Sequence, residues 1–284
     1  MKFQSGTSLV FICLLLLASS GCAFKSVRKS QNIVYRDPGL SPKKNKLNVF
    51  APRKSTSLKS VFMFIHGGNW NSGKKSLYNF LGRRMARKDV VVVIIDYPLS
   101  PQVTYNGMAT AVSKAVRWIK QNIEKYGGNP EKIFVSGHSA GGHLAALVAV
   151  RKEYMDSLGY PNAIKGAILI DAAGLNMYGY LQEEKLPPDH TYFKTFTTDP
   201  DAWKAASPLY HLHAGMPPML IYVGEETRSS IIDSNEKFIL ALKEFVPEPN
   251  FKILKGKKHV PMITQFFNSR NPHYKEIIEF MKSN

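Results

Sequence analysis

Short apolar runs alternate with amphipathic segments along most of the chain. Continuous apolar runs over residues 61–65 and 90–96 are typical of strands that are buried on both faces. Between residues 109 and 126, apolar side chains recur every three or four positions and stop at a Gly-Gly pair, which predicts an amphipathic helix. Further strands are predicted at 47–50, 132–136, 164–172, 219–223 and 251–254, and further helices at 77–88, 142–150, 231–245 and 273–282. This alternation predicts an α/β fold in which helices cover both faces of a parallel sheet.

One long segment interrupts the alternation. Residues 174–217 are rich in aromatic side chains, namely Tyr178, Tyr180, Tyr192, Phe193, Phe196 and Trp203. A connection of this length inside a compact domain is usually functional or forms a small cap. We therefore predict a lid that forms part of the substrate pocket. The alternative is a surface excursion that its aromatic side chains hold down.

The first residues have the pattern of an export signal. Lys2 precedes an apolar run over residues 9–18, and small residues at 19–21 lead to Cys22. This pattern predicts a signal peptide over residues 1–22, since the apolar run is shorter than the roughly 20 residues of a membrane-spanning helix. Residues 3–24 carry no charge, so an uncleaved anchor is the alternative. The Ser-Ser-Gly-Cys sequence resembles a bacterial lipoprotein signal, which implies lipidation of Cys22.

These signals predict an exported protein. It is expected to be a lipoprotein anchored to a membrane through Cys22 or the N-terminal segment, or a secreted or periplasmic protein. Residues 23–46 are polar, basic and interrupted by prolines, which predicts a tether, and residues 47–284 have the length of one α/β domain. Both cysteines, Cys13 and Cys22, belong to the signal region, which excludes an internal disulfide and a cysteine zinc site in the cleaved chain.

The net charge is strongly positive, but the arrangement of the basic residues does not indicate nucleic-acid binding. Lys and Arg number 38 against 21 Asp and Glu, which gives a formal charge of +17. The basic residues are scattered in small groups, and no zinc-finger spacing or RNA-binding aromatic signature lies near them. We expect no nucleic-acid partner, while loose attraction to an anionic membrane or polysaccharide stays open.

The sharpest chemical signal is Gly137-His138-Ser139-Ala140-Gly141, which fits the pattern G-x-S-x-G. A predicted strand precedes it and an apolar helix follows, which is the context that this nucleophile turn requires. The new helix directs its N-terminal N–H groups toward the serine, where the negative oxygen of an acyl-transfer reaction would form. Ser139 is therefore the predicted nucleophile, with the N–H of Ala140 as an oxyanion donor.

A second signal lies at residues 66–70, His-Gly-Gly-Asn-Trp, directly after a predicted strand. A glycine-rich turn at this place allows backbone N–H groups to approach a substrate carbonyl. Together with the N–H of Ala140, it would complete a two-sided oxyanion hole, in which each donor typically contributes about 3 kcal/mol of transition-state stabilisation.

With these motifs the chain resembles the α/β-hydrolase esterases of the hormone-sensitive-lipase type and their bacterial relatives, which include acetyl and feruloyl esterases. The resemblance also covers residues 96–101 (DYPLSP), 126–132 (YGGNPEK) and 207–208 (SP). It implies a mostly parallel eight-stranded sheet, acyl transfer to water without metal or cofactor, and oxyanion donors at Gly68 and Asn69.

The predicted general base is His259, because a serine hydroxyl needs a base to remove its proton. His259 follows the last predicted strand, which matches the chain order serine, acid, histidine. Of the other histidines, His138 is expected to point away from Ser139, and His273 is the second candidate. The remaining ones belong to the motifs (His66, His143) or to the predicted lid (His190, His211, His213).

The acid is expected just after the strand at 219–223. Relatives commonly place Asp at the position that Thr227 occupies, and a threonine cannot carry the charge. Glu226 is the first choice, since its extra methylene offsets a one-residue shift, and Glu225 and Asp233 are the alternatives. The acid would fix the tautomer of His259.

The predicted function is a serine carboxylic-ester hydrolase that acts on short-chain acyl, acetyl or feruloyl-type esters, which are small molecules or linked to polysaccharide. One alternative is an amidase of the kynurenine formamidase type, which would use the same residues. Another is a non-catalytic binding protein with this fold, a reading that the unclear acid favours.

Overall fold

The computed structural model describes residues 26–36, 44–54 and 56–284 of the chain. Within these residues the strands are β1 (Val27–Val34), β2 (Lys46–Pro52), β3 (Lys59–Ile65), β4 (Val91–Ile95), β5 (Gly128–His138), β6 (Ile164–Ile170), β7 (Met219–Gly224) and β8 (Asn250–Leu254). The α-helices are α1 (Asn79–Ala86), α2 (Tyr105–Asn122), α3 (Ala140–Val150), α4 (Glu153–Asp156), α5 (Met177–Glu183), α6 (Thr191–Phe196), α7 (Pro200–Ala205), α8 (Ser229–Leu242), α9 (His259–Thr264) and α10 (His273–Ser283). The predicted signal peptide and Cys22 lie outside the described residues.

The strands form one eight-stranded sheet in the order β1-β2-β4-β3-β5-β6-β7-β8. β2 is antiparallel to both β1 and β4, and every pair from β4 to β8 along the sheet is parallel. The prediction of a mostly parallel eight-stranded sheet is confirmed. Parallel strands end at the same edge, so the residues that follow β3, β5, β6 and β7 meet there.

Helices cover the sheet on both faces because its central strands are apolar throughout. In β3, Val61, Met63 and Ile65 pack into one core cluster with residues of α2, α3 and α8. The alternate residues Phe62 and Phe64 pack into a second cluster with residues of α1, α9 and α10. Successive side chains of a strand point to opposite faces, so a run without polar residues requires a covering layer on each side.

The predicted tether over residues 23–46 is wrong for part of its length. Residues Val27–Val34 form β1, which pairs antiparallel with β2 at the edge of the sheet. Most side chains of β1 are partly or fully exposed, and an exposed edge strand has no continuous apolar run. This is why the polar composition concealed it.

None of the helices in the described part of the chain has the length and hydrophobicity that crossing a membrane requires.

Candidate active site

Ser139 lies on the sharp turn between β5 and α3. Its backbone has φ 57° and ψ −125°, a conformation that is strained for a residue with a side chain. The turn is held on both sides, since the N–H of Ser139 donates to the carbonyl of Ile170 (3.2 Å) and its own carbonyl accepts from the N–H of His143 (3.1 Å).

The glycines on either side of Ser139 are required by space. A Cβ atom at Gly137 would lie 2.2 Å from the backbone of Gly141, and one at Gly141 would lie 2.1 Å from the carbonyl oxygen of Ile65. Both distances are far inside van der Waals contact, so the G-x-S-x-G spacing reflects how closely the turn and β3 approach.

His259 joins Ser139 to a buried carboxylate. The Ser139 hydroxyl lies 2.9 Å from Nε2 of His259, and Nδ1 of the same ring lies 2.5 Å from Oδ2 of Asp171. The carboxylate accepts from Nδ1–H, which leaves Nε2 unprotonated in the neutral ring and able to accept the proton of the serine hydroxyl. The three side chains have the geometry of a nucleophile, a base and an orienting acid.

Asp171 is fully buried and held by three donors. Besides His259, the N–H of Gly224 donates to Oδ1 (2.9 Å) and the hydroxyl of Thr227 donates to Oδ2 (2.5 Å). Buried carboxylates require such partners, because desolvation of an unpaired charge is costly. Gly224 ends β7 and Thr227 lies in the turn that follows it, so this part of the chain orients the acid.

The structure places Asp171, and not Glu226, against His259, so the expected acid position is corrected. Glu226 and Glu225 are exposed, and the Glu225 carboxylate accepts from the N–H of Gly256 instead. Asp233 lies in α8 and pairs with Lys237.

A signal for Asp171 was present in the sequence, at the end of the apolar strand at 164–172. In the parallel register, His138 of β5 faces Ile170 of β6. Ser139 and Asp171, the next residue of each strand, therefore leave the sheet side by side. Any acidic residue at the end of a strand beside β5 is therefore a candidate, and β6 is such a strand.

The loop at residues 66–70 lies against Ser139. A Cβ at Gly67 would lie 3.2 Å from Cβ of Ser139, and Gly68 has φ 129°, which favours glycine. Within the described residues, the N–H groups of Gly68, Asn69 and Ala140 donate to no protein acceptor. These are the three donors predicted for the oxyanion, and their freedom fits that role.

A buried ion pair supports this loop from behind. Oδ2 of Asp96 accepts from Nζ of Lys75 (2.8 Å) and Oδ1 accepts from the Lys75 N–H (2.7 Å). The ring of Tyr97 stacks on His66 at 4.4 Å, and the Tyr97 hydroxyl donates to the His66 carbonyl. These contacts therefore fix His66, the residue directly before Gly67 and Gly68.

The aromatic segment packs on the same loop. Trp70 is buried and meets Phe196 of α6 edge to face at 5.0 Å, while the hydroxyl of Tyr192 donates to Oδ1 of Asn69 (2.9 Å). Among the described residues that line the cavity at Ser139, none belongs to residues 174–217. The segment therefore contacts the loop at residues 66–70 directly and, with Trp70, lines a small neighbouring pocket through Tyr180 and Tyr192; its role as a substrate lid stays a prediction.

Three buried histidines around the site are neutral. Burial lowers the pKa of His66, His138 and His143 to about 4 in each case. Trp70 donates to Nδ1 of His143, so Nε2 carries the proton and donates to the carbonyl of Ala206 (2.7 Å).

His138, which was expected to point away from Ser139, packs on the ring of His259. Its ring lies 4.6 Å from that of His259, and Nε2–H donates to the His259 carbonyl (3.0 Å). The positive charge of a protonated His259 further lowers the pKa of His138. His138 therefore holds the start of α9 in place as a neutral donor.

The cavity at Ser139 has a volume of about 570 Å³. Its lining residues are Gly67, Gly68, Asn69, Ser72, Gly73, Leu77, Tyr78, Phe80, His138, Ser139, Arg228, His259, Val260, Ile263, Thr264 and Phe267. One wall is apolar, with Phe80 and Phe267 stacked at 3.9 Å. This size suits a small ligand.

A metal ion would compete with the hydrogen bonds of this site. In the described part of the chain, His138, Asp171 and His259 are the acidic and histidine side chains close enough together to ligate one ion. Nδ1 of His259 and Oδ2 of Asp171 already contact each other, so the arrangement fits proton transfer better than metal ligation.

The sequence matches one family over most of this fold. The BD-FAE family model matches residues 47–240, a range that contains Ser139, Asp171 and the loop at 66–70. The chain belongs to the BD-FAE family. The predicted membership of the α/β-hydrolase esterases is thereby confirmed.

Curated relatives carry esterase names. A probable isoprenylcysteine α-carbonyl methylesterase, ICMEL1 of Arabidopsis thaliana, is 27% identical over 84% of this chain and 52% of its own length. Esterase LipQ of Mycobacterium tuberculosis is 29% identical over 65% of this chain and 46% of its own length. The chain spans about half the length of these relatives.

Solved structures share the fold. Esterase B from Lactobacillus rhamnosis superposes with a TM-score of 0.73 at 19% identity, over 92% of this chain and 85% of that one. A truncated carbohydrate esterase from gut microbiota gives 0.76 at 17% identity, over 92% and 97% of the two chains. The architecture described above is therefore the α/β-hydrolase fold.

Proposed function

We propose that this protein is a serine carboxylic-ester hydrolase that forms an acyl-enzyme on Ser139. The observation that carries the proposal is the distance of 2.9 Å between the Ser139 hydroxyl and Nε2 of His259, whose other nitrogen contacts buried Asp171. The esterase names of the relatives support the reaction class.

Acylation begins when Nε2 of His259 takes the proton of the Ser139 hydroxyl as the oxygen attacks the ester carbonyl. The carbonyl oxygen becomes negative and accepts hydrogen bonds from the N–H groups of Gly68, Asn69 and Ala140. The imidazolium of His259, stabilised by Asp171, then protonates the leaving alcohol.

Deacylation repeats these steps with water. Nε2 of His259 removes a proton from the water molecule that attacks the acyl-enzyme, and the same backbone donors stabilise the second tetrahedral intermediate. Protonation of the Ser139 oxygen by His259 releases the acid, so that no cofactor or metal is consumed.

The substrate class is proposed as short acyl, acetyl or feruloyl-type esters, free or attached to polysaccharide. A cavity of about 570 Å³ with an apolar, partly aromatic wall is large enough for an acetyl or an aromatic group.

The Asp171 contact also argues against a non-catalytic binding protein, since the lack of a clear acid in the sequence was what favoured that alternative.

Replacement of the nucleophile tests the proposal. Ser139→Ala should lower the hydrolysis of 4-nitrophenyl acetate by at least about 10³-fold, because the attacking oxygen is lost while the oxyanion donors remain. Circular dichroism and thermal unfolding should show a folded protein. Undiminished hydrolysis by the folded variant would refute the proposal.

A substrate panel separates esters from formamides. Acetyl esters, feruloyl esters and N-formylkynurenine should be compared by kcat/KM with the same wild-type enzyme. Faster turnover of N-formylkynurenine than of every ester would assign the site to a formamidase.

A further inference from the structure

The cavity at Ser139 contains one permanent positive charge. Among its described lining residues, Arg228 is the only lysine or arginine, and none is an aspartate or glutamate. The guanidinium is exposed, and no carboxylate of the described residues pairs with it. An unpaired arginine at the wall of a small cavity is suited to bind an anionic group of a ligand.

Arg228 follows a residue that contacts the base. It directly follows Thr227, whose hydroxyl oxygen lies 3.4 Å from Nδ1 of His259. Val260, the residue after His259, lines the same cavity. The backbone of Arg228 therefore starts beside His259, and the side chains of both residues line the same cavity.

The positive field of Arg228 reaches the neighbouring aromatic segment. Burial raises the pKa of Tyr180 and of Tyr192, and the Arg228 guanidinium opposes that rise in both. The arginine, which lines the cavity, is therefore also close to these two phenols. Both phenols are neutral at physiological pH, so neither forms an ion pair with the guanidinium; the Glu184 carboxylate acts on Tyr180 from a distance.

The position of the base decides which half of an ester meets Arg228. His259 must protonate the leaving oxygen, so the alcohol half of the ester lies against His259. We propose that Arg228 forms a subsite for an anionic group on the alcohol half, so that the preferred substrates are esters of alcohols or phenols that carry a carboxylate. This specificity rests on the proposed ester hydrolysis.

Two acetyl esters of matched shape test the subsite. 4-Acetoxybenzoate carries a carboxylate on the phenol, and 4-acetoxybenzamide carries a neutral amide at the same place. The ratio of kcat/KM for the two esters is measured in wild type and variants. A comparison of ratios cancels their different intrinsic reactivity.

In Arg228→Gln the carboxylate-to-amide ratio should fall about tenfold, the usual effect of losing one charge-assisted hydrogen bond. Arg228→Lys should keep part of the preference. Lys132→Gln is the matched control, since Lys132 is exposed in the half of β5 away from Ser139 and its replacement removes the same charge. Its ratio should equal that of wild type.

Salt provides a second readout. The wild-type preference for the carboxylate should weaken at 0.5 M NaCl, where the screening length is only about 4 Å. The ratio for Arg228→Gln should change much less. An Arg228→Gln ratio within twofold of wild type, or equal losses with both esters, would overturn the subsite.

Binding separates failure of the subsite from failure of the proposed function. The dissociation constants of 4-hydroxybenzoate and 4-hydroxybenzamide are measured by calorimetry with wild type and Arg228→Gln. Tighter binding of the carboxylate that depends on Arg228 supports the subsite even if neither ester is hydrolysed, a result that would refute only the esterase. Equal binding of both compounds by wild type would overturn the subsite.

Discussion

At the scale of single residues, the decisive group is a carboxylate that sequence position alone did not reveal. Asp171 is buried beside His259, whereas Glu226 is exposed one residue before Thr227. The Thr227 hydroxyl donates to the same Asp171 oxygen that accepts from His259. Thr227 therefore does not replace the acid. Its hydroxyl orients the carboxylate of Asp171.

The acid assignment predicts unequal effects of two similar substitutions. Asp171→Asn should lower kcat by about 10⁴-fold, because an amide can hold the wrong tautomer of His259. Glu226→Gln, which neutralises the originally expected acid, should change kcat by less than about twofold. Steady-state kinetics with 4-nitrophenyl acetate measures both. A large loss in Glu226→Gln with activity retained in Asp171→Asn would restore the first assignment.

At the scale of elements, the aromatic segment acts through the loop it packs on. The loop at residues 66–70 supplies two of the proposed oxyanion donors, and α6 reaches it through the hydrogen bond from Tyr192 to Asn69. The edge-to-face contact of Phe196 with Trp70 adds packing to that bond. The segment therefore stabilises the conformation of a loop whose Asn69 and Trp70 both have positive φ.

Removal of one hydroxyl in this contact should lower kcat without changing KM. Tyr192→Phe should lower kcat by about fivefold, since a typical hydrogen bond contributes about 1 kcal/mol, and should lower Tm by only about 2–4 °C. Tyr178→Phe in α5 is the control, because the Tyr178 ring contacts Tyr210 and its hydroxyl has no hydrogen bond to the described residues. Equal kcat values for the two variants would show that the Asn69 contact is not used.

At the scale of the whole molecule, buried neutral histidines connect the site to stability. His66, His138 and His143 have pKa values of about 4 because burial disfavours their charged form, while an unfolded chain has about 6.5. Between these values the unfolded state binds more protons than the folded state. The free energy of unfolding therefore falls as the pH falls from 6.5 to 4.

Urea unfolding at pH 7.0, 5.5 and 4.5 measures this dependence. Each of the three histidines should contribute a slope of up to about 1.4 kcal/mol per pH unit in that window. His143→Gln should show a smaller slope than wild type, whatever its absolute stability. A free energy of unfolding that is constant from pH 6.5 to 4.5 would contradict the neutral state of these side chains.

The sequence by itself determined those features that depend only on residues close together in the chain. Apolar runs without polar residues required strands covered on both faces, and the spacing of Gly137, Ser139 and Gly141 required a turn too tight for Cβ atoms. Such patterns are visible because the residues involved are neighbours in the chain. They predicted the fold, which is confirmed, and they singled out Ser139 and His259, whose side chains lie 2.9 Å apart.

Only the tertiary structure decided which carboxylate meets His259, where the aromatic segment packs, and that residues 27–34 complete the sheet. Asp171 and His259 are 88 positions apart, and their contact depends on the order and register of β5, β6 and β7. Several acidic residues follow strands, and local sequence does not state which strands become neighbours. Which strands become neighbours depends on how the apolar side chains of all eight strands are buried together.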